Sequence, residues 1–347
     1  MTATEKDIKL LNDIYQSRKP FFGDLHNHSD SGGTSDGKCT LKQWREGLSE
    51  LKMDFAAILD HRQVRHMYED EWEDGVFIGG TEPGTYISDS KAENKCMHYN
   101  MLFENAEPLE KLLSEFSEFA FEGGREGHFG YPDFTKARMV ELIDFIKDNG
   151  GFFVYPHPTQ IMKSENPEDF WFADGTGFEV IYFDMTDKET ADNYKLWCDL
   201  LNLGKKIFAC AGEDGHKEPS ANALTAIYAE EKTNAAYLKH LRVGDFVCGN
   251  VGIKMCVGDC AMGGSTDMNG KTLVVSVGDF HESVNKKDHT YKLVVYKDDK
   301  VIAEEAVFAD KECVFSYNTE ECKFYRVEVF DTTENLRIAI GNPIWSI

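Results

Sequence analysis

Histidines and carboxylates recur at one kind of place in this chain, at the borders of short apolar runs. His26 and His28 follow the run 21–25, Asp60 and His61 follow 55–59, and Glu82 follows 76–80. His157 follows 152–155, Asp214 and His216 follow 207–211, Glu179 borders 180–183, and His98 belongs to the same set. His26-Asn27-His28 at the end of an extended segment places both imidazoles on one face, because side chains alternate with period two. Asp214-Gly215-His216 repeats that spacing, whereas the adjacent Asp60 and His61 diverge, one toward the site and one beside it. Imidazole and carboxylate without thiolate suit Zn, Fe or Mn rather than Ca or Mg alone. One ion would leave most of these donors unemployed, so a cluster of two or three divalent ions is expected. A carboxylate such as Glu82 can bridge two ions through its two oxygens, which an imidazole cannot do. Such a cluster lowers the pKa of a bound water to about 7 and supplies hydroxide near neutral pH.

Positioning these residues is the task of the runs that precede them. The segments 21–25, 55–59, 76–80, 152–155, 180–183, 207–211 and 224–229 are short, apolar and bounded by Gly, Pro or charge, and read as buried strands. Helices alternate with them: 135–149 places Met139, Leu142, Ile143 and Ile146 at 3/4 spacing before Asn149-Gly150-Gly151, and 188–203 and 234–242 behave likewise. This alternation predicts a parallel sheet, open or closed into a barrel, with one rim of strand C-termini where the donors converge. After about residue 255 the period changes. The segments 272–277, 291–296, 301–308, 313–317, 324–330 and 336–340 alternate apolar with polar, and Lys297-Asp298-Asp299-Lys300 reads as a hairpin turn. A small antiparallel β-sandwich over 253–347 is therefore expected after a domain over 1–252.

The chain of 347 residues carries 61 acidic and 37 basic side chains, a formal net charge of −24. That surface disfavours a nucleic-acid coat or an anionic membrane. Apolar runs do not exceed five residues, and MTATEKDIKLL shows no basic and then apolar signal segment. Nine scattered cysteines without a CxxC pair read as free thiols, so a cytoplasmic protein is the expectation. His66, His240, His281 and His289 read as locally satisfied polar side chains.

In combination the motifs resemble those of the PHP (polymerase and histidinol phosphatase) superfamily of metal-dependent phosphoesterases. Gly23-Asp24-Leu25-His26-Asn27-His28-Ser29 is similar to its first motif and Ile58-Leu59-Asp60-His61 to its second. Gly80-Thr81-Glu82 with His98 is similar to the third, and Tyr155-Pro156-His157-Pro158 with Gly212-Glu213-Asp214-Gly215-His216 to the last. The resemblance covers about residues 20–250 and implies a distorted (β/α)7 barrel with a two- or three-metal centre that hydrolyses phosphate esters.

Carried over, it implies that His26, His28, Glu82 and Asp214 hold a first ion. Glu82 bridges to a second, completed by His98 and His157, and His61 and His216 hold a third. The usual HSxxSDG pattern is three residues longer here, so the remaining ligand is Asp36 or Asp30. Asp60 and Glu179 resemble carboxylates that orient ligands or water in the catalytic site. Arg62 and Lys217 directly follow ligands and are candidate phosphoryl contacts, with solvated surface charge as the other reading. The glycine-rich segment 123–132 reads as an ordinary loop, or as a hinged lid carrying Arg125 or His128 over the site. The expected substrate is small and phosphorylated, attacked in line by a metal-bound hydroxide. Hydrolysis of a carbonyl substrate at the same centre, and a non-catalytic metal-stabilised binding protein, are the alternatives. The oligomeric state is left open.

Overall fold

The computed structural model describes residues 3–119, 131–164 and 166–347. The apolar runs form strands β1 (Lys19–Asn27), β2 (Phe55–Ile58) and β3 (Phe77–Thr81), followed by the short β4 (Gly84–Ile87), β5 (Cys96–His98), β6 (Asn100–Phe103) and β7 (Asp133–Phe134). Next come β8 (Phe152–Tyr155), β9 (Thr176–Tyr182), β10 (Ile207–Gly212), β11 (Thr225–Ala229) and β12 (Phe246–Gly249). The C-terminal strands are β13 (Val251–Val257), β14 (Cys260–Ala261), β15 (Ser265–Thr266), β16 (Thr272–Phe280), β17 (Tyr291–Lys297), β18 (Lys300–Val307), β19 (Cys313–Asn318), β20 (Phe324–Asp331) and β21 (Leu336–Ser346). Helices α1 (Glu5–Ile14), α2 (Leu41–Glu50), α3 (Ala106–Glu115), α4 (Lys136–Asp148), α5 (Pro158–Ile161), α6 (Lys188–Asn202) and α7 (Asn234–Leu241) lie between strands or, for α1, ahead of them.

These elements make a mixed α/β protein with one large sheet, ordered β10-β9-β8-β6-β3-β2-β1-β11-β12-β21-β20-β17-β18, with β15 alongside β21. The expectation of an all-parallel sheet is corrected. β1, β2 and β3 run parallel to one another, as do β8, β9 and β10, but β6 is antiparallel to both β3 and β8. The reason lies in the connections: β3 reaches β6 through short strands with no crossover helix, so the chain returns in the opposite direction. β11 and β12 likewise pair antiparallel. Past the end of β10, Gly215 makes an isolated parallel bridge to Asn27 of β1.

Helix α2 shows how the layers lock together. Leu41, Trp44 and Leu48 recur at 3/4 spacing and are fully buried, and Thr40 and Gln43 form a capping box at its start, a device worth about 1 kcal/mol. The Trp44 indole donates to the backbone oxygen of His28 at 3.2 Å, tying the helix to the end of β1. The same apolar cluster continues through Ile253, Met255, Val275, Leu293, Val327 and Ile338. It packs the sheet β14-β13-β16-β19 against the C-terminal strands of the main sheet. The position between residues 252 and 253 falls inside β13, and the β12–β21 pairing carries the main sheet across it. The hairpin at Lys297–Lys300 is present, with Asp298 in a left-handed conformation (φ 55°). The nine cysteines are unpaired. Among the described residues no helix is long and apolar enough to cross a membrane.

Candidate metal centre

Strand direction decides which side chains meet. The C-terminal ends of β1, β2, β3, β8 and β10 deliver His26 and His28, His61, Glu82, His157, and Asp214 with His216 to one rim. His98 reaches that rim from the opposite direction, because it precedes the antiparallel β6. Three overlapping sets of ligand atoms result, each with its members within 4.8 Å of one another: His26, His28, Glu82 and Asp214; Glu82, His98 and His157; and His28, Asp36, His61 and His216. Asp36 enters the third set; Asp30 is in none of the three and is exposed.

Glu82 is the hub. Its Oε2 lies 3.4 Å from His26 Nε2 and 3.2 Å from His28 Nε2, and its Oε1 lies 2.9 Å from His98 Nδ1 and 3.0 Å from His157 Nε2. One carboxylate oxygen therefore faces each of two sets. Asp214 Oδ1 stands 3.3 Å from His26 Nε2 and 3.1 Å from His28 Nε2. In the third set Asp36 Oδ1 is 3.1 Å from His216 Nε2 and 3.5 Å from His61 Nε2.

The surroundings fix which nitrogen each ring offers. A backbone carbonyl only accepts, so His61 Nδ1 carries a proton donated to the Glu82 carbonyl at 2.7 Å, and His216 Nδ1 one donated to the Asp214 carbonyl at 2.6 Å. Both rings are left with Nε2 turned toward Asp36. Glu179 Oε1 accepts from His26 Nδ1 at 3.1 Å, and its Oε2 accepts from the His157 backbone N–H at 2.6 Å. This carboxylate–imidazole pairing is the arrangement that orients metal-ligating histidines. It depends on Gly212, since a Cβ there would fall 2.2 Å from Glu179 Oε1 and 2.7 Å from the His26 Cβ.

The donor set fits divalent cations. His26 Nε2 and Asp36 Oδ1 are buried without a hydrogen-bond partner. His26 Nε2 and Asp36 Oδ1 nevertheless sit 3.1–3.5 Å from other donor atoms, as atoms grouped round a common centre would. Burial opposes ionisation of Glu82, yet His26, His98 and the His157 bond hold its carboxyl well below the usual range. Burial is likewise outweighed at Asp214, which His26 and His28 hold far down. Reciprocally, and against burial, Asp214, Glu82 and Glu179 raise the His26 imidazole, and the Asp214 and Glu82 bonds push His28 up to about 10. Metal binding requires these imidazoles as neutral ligands and so runs against the upward shifts of His26 and His28. His61 differs, its pKa lowered by burial and by the neighbouring His28.

Backbone strain marks the same rim. His157 (φ 26°), Asp214 (φ 54°) and Arg62 (φ 53°) are all left-handed, a conformation that costs non-glycine residues of order 1–3 kcal/mol and clusters at functional sites. Arg62 is largely buried, with its guanidinium 5.4 Å from the Tyr131 ring centroid, whereas Lys217 is exposed beyond His216. Asp60 is in none of the three sets. Its carboxylate accepts from the Ser29 backbone and from the hydroxyls of Ser29, Ser31 and Ser35, and lies 3.2 Å from His66 Nδ1, so it braces the loop that presents Asp36. The segment 120–130, with Arg125 and His128, lies outside the described residues.

Two tyrosines escaped the sequence reading. Tyr182 donates to Asp214 Oδ2 at 3.4 Å, and Tyr131 lies 2.9 Å from His98 Nε2. Tyr182 is the last residue of β9, the position at which other strands carry ligands, and that was the available signal.

No family model and no curated protein matches the chain. Among solved structures, similarity extends to a two-domain protein containing a predicted PHP-like metal-dependent phosphoesterase from Bacteroides vulgatus, at 14% identity over 95% of this chain and 96% of that one (TM-score 0.43). A putative metal-dependent phosphoesterase from Bifidobacterium adolescentis matches at 15% identity over 58% of this chain and 89% of its own (TM-score 0.38). Endonuclease Q, in complex with a 27-mer duplex substrate with an abasic lesion at the active site, matches at 14% identity over 66% and 58% (TM-score 0.44). These likenesses are distant in both sequence and superposition.

Proposed function

We propose that this chain is a metal-dependent phosphoesterase of the PHP kind, acting on a small phosphorylated substrate at a centre of two or three divalent ions of the Zn, Fe or Mn type. The observation that carries the proposal is the convergence of three ligand sets on Glu82 and His28 at a single rim. In this reading His26, His28, Glu82 and Asp214 hold one ion, Glu82, His98 and His157 a second, and Asp36, His61 and His216 a third. When bound, such ions supply Lewis acidity toward a phosphoryl oxygen and the means to deprotonate a water near neutral pH.

The remaining work falls to the chain itself. Glu179 keeps the His26 ring turned so that Nε2 faces the centre. Asp60 holds the serine-rich loop that brings Asp36 to its partners. Arg62 and Lys217 provide cationic contacts for the substrate's phosphoryl group, Arg62 beside Tyr131 and Lys217 at the outer edge. We further infer that the run β1, β2, β3, β6, β8, β9, β10 closes through the Asn27–Gly215 bridge as a distorted seven-stranded barrel, and that residues 253–347 form a β-sandwich appended to it. The net charge of −24 does not conflict with an anionic substrate, because bound cations reverse the sign locally.

Activity on parallel panels of phosphate esters and of carboxylic esters and amides tests the proposal, using Mn-, Fe- or Zn-loaded protein and the same protein treated with chelator. Metal-dependent release of phosphate is the expected result. Turnover confined to the carbonyl panel would reassign the centre, and loaded protein inert on both panels would refute a hydrolase.

A further inference from the structure

Three short strands, β5, β4 and β7, form a separate sheet in which Gly84 is the direct partner of His98. Tyr131 lies just ahead of β7, and the Pro132 carbonyl accepts from the Tyr86 N–H at 2.9 Å, fixing the approach of this segment. The Tyr131 ring lies over Gly84: a Cβ there would come 2.4 Å from Tyr131 Cε1 and 2.8 Å from His98 Cδ2. On its other sides the ring meets Tyr86 edge-on at 5.8 Å and the Arg62 guanidinium at 5.4 Å. The phenol oxygen is thereby held 2.9 Å from His98 Nε2, while His98 Nδ1 is 2.9 Å from Glu82 Oε1.

We propose that Tyr131 is a positioning residue that makes His98 a ligand through Nδ1, its phenol oxygen accepting the hydrogen bond donated by Nε2–H. The inference rests on the metal centre proposed above. A neutral imidazole has one nitrogen with a proton and one with a lone pair. His98 Nδ1 and His157 Nε2 approach the same oxygen, Glu82 Oε1, so the lone pair belongs on Nδ1 once an ion sits between these groups. The proton then resides on Nε2, where, among the described residues, the hydrogen-bonding partner is the tyrosine hydroxyl. His26 is the reverse case, with Nδ1 donating to Glu179 and Nε2 turned to the centre. A phenol is a weaker acceptor than a carboxylate, so the ion at Glu82, His98 and His157 is held less firmly than the one served by His26.

The test compares wild type with Tyr131→Phe. Imidazole nitrogen NMR of the Zn-loaded wild-type protein is expected to show His98 bound through Nδ1 with a proton on Nε2. Chelator competition on Tyr131→Phe is expected to show one ion weakened about 10- to 100-fold and the others unchanged. The unfolding midpoint of the metal-free variant should match wild type, since the ring is retained over Gly84. Zn bound through Nε2 in wild type, or every ion held at wild-type affinity in a folded Tyr131→Phe protein, would overturn the inference while leaving the centre intact. Wild type that takes up no Zn would overturn the centre, and this inference with it.

Discussion

Glu179→Gln is the most discriminating single change. The two carboxylate oxygens do different jobs, Oε1 accepting from His26 Nδ1 at 3.1 Å and Oε2 from the His157 N–H at 2.6 Å. Glutamine has nearly the same shape but offers one acceptor and one donor, so with the His26 proton kept on Nδ1, as metal binding through Nε2 requires, one of these two N–H groups must face another donor. Both are buried, and leaving one unsatisfied costs about 1–3 kcal/mol of stability. Relaxation is restricted, because Gly212 packs so closely that even a methyl there would clash with Glu179. Loss of a group that orients a ligating histidine weakens metal binding about 10- to 100-fold, or about 1.4–2.7 kcal/mol. The assay is Zn competition against a chelator of known affinity, paired with urea unfolding of the metal-free protein. A variant within about twofold of wild-type affinity and with an unchanged unfolding midpoint would refute the role given to Glu179.

Other expectations follow from the same geometry. Glu82→Gln should remove two ions per chain by elemental analysis, whereas Asp36→Asn should remove one, the ion lost first on dialysis because the Asp36 side chain is 46% exposed. Asp60→Asn should loosen that same ion without touching the other two, since Asp60 braces the loop through Ser29, Ser31 and Ser35; chelator competition reads this directly. At the C-terminal sheet, buried Glu328 accepts from Arg337 at 2.8 Å, from Tyr194 at 2.6 Å and from Arg326. Burial opposes its ionisation, but the two arginines hold its carboxyl below the usual range. A depressed carboxyl contributes stability above its unfolded value of about 4.3 and loses it as pH falls toward the folded value. Glu328→Gln should therefore cost about 3–5 kcal/mol near pH 7, and the deficit should shrink below about pH 4 in urea unfolding.

Local pattern carried much of the site into view. Short apolar runs ending in His, Asp or Glu marked the ends of β1, β2, β3, β8 and β10, because burial on both faces makes such strands uniformly apolar and their ends abrupt. What stayed hidden was set by non-local geometry. The antiparallel course of β6 depends on which strands flank it, and it is what lets His98 join a rim from the front of a strand. The small β5-β4-β7 sheet has no apolar run to announce it, so the link from Tyr131 to His98 could not be foreseen. The choice between Asp36 and Asp30 turned on the path of a loop pinned by hydroxyls on Asp60, which spacing alone does not encode.

Everything proposed for this rim depends on Glu82 joining two ion positions. Anomalous diffraction from crystals of the Zn- or Mn-loaded protein tests it most directly. One peak is expected among His26, His28, Glu82 and Asp214 and another among Glu82, His98 and His157, with Glu82 touching both. Loaded crystals with no peak at Glu82, or with ions bound only elsewhere on the acidic surface, would contradict it.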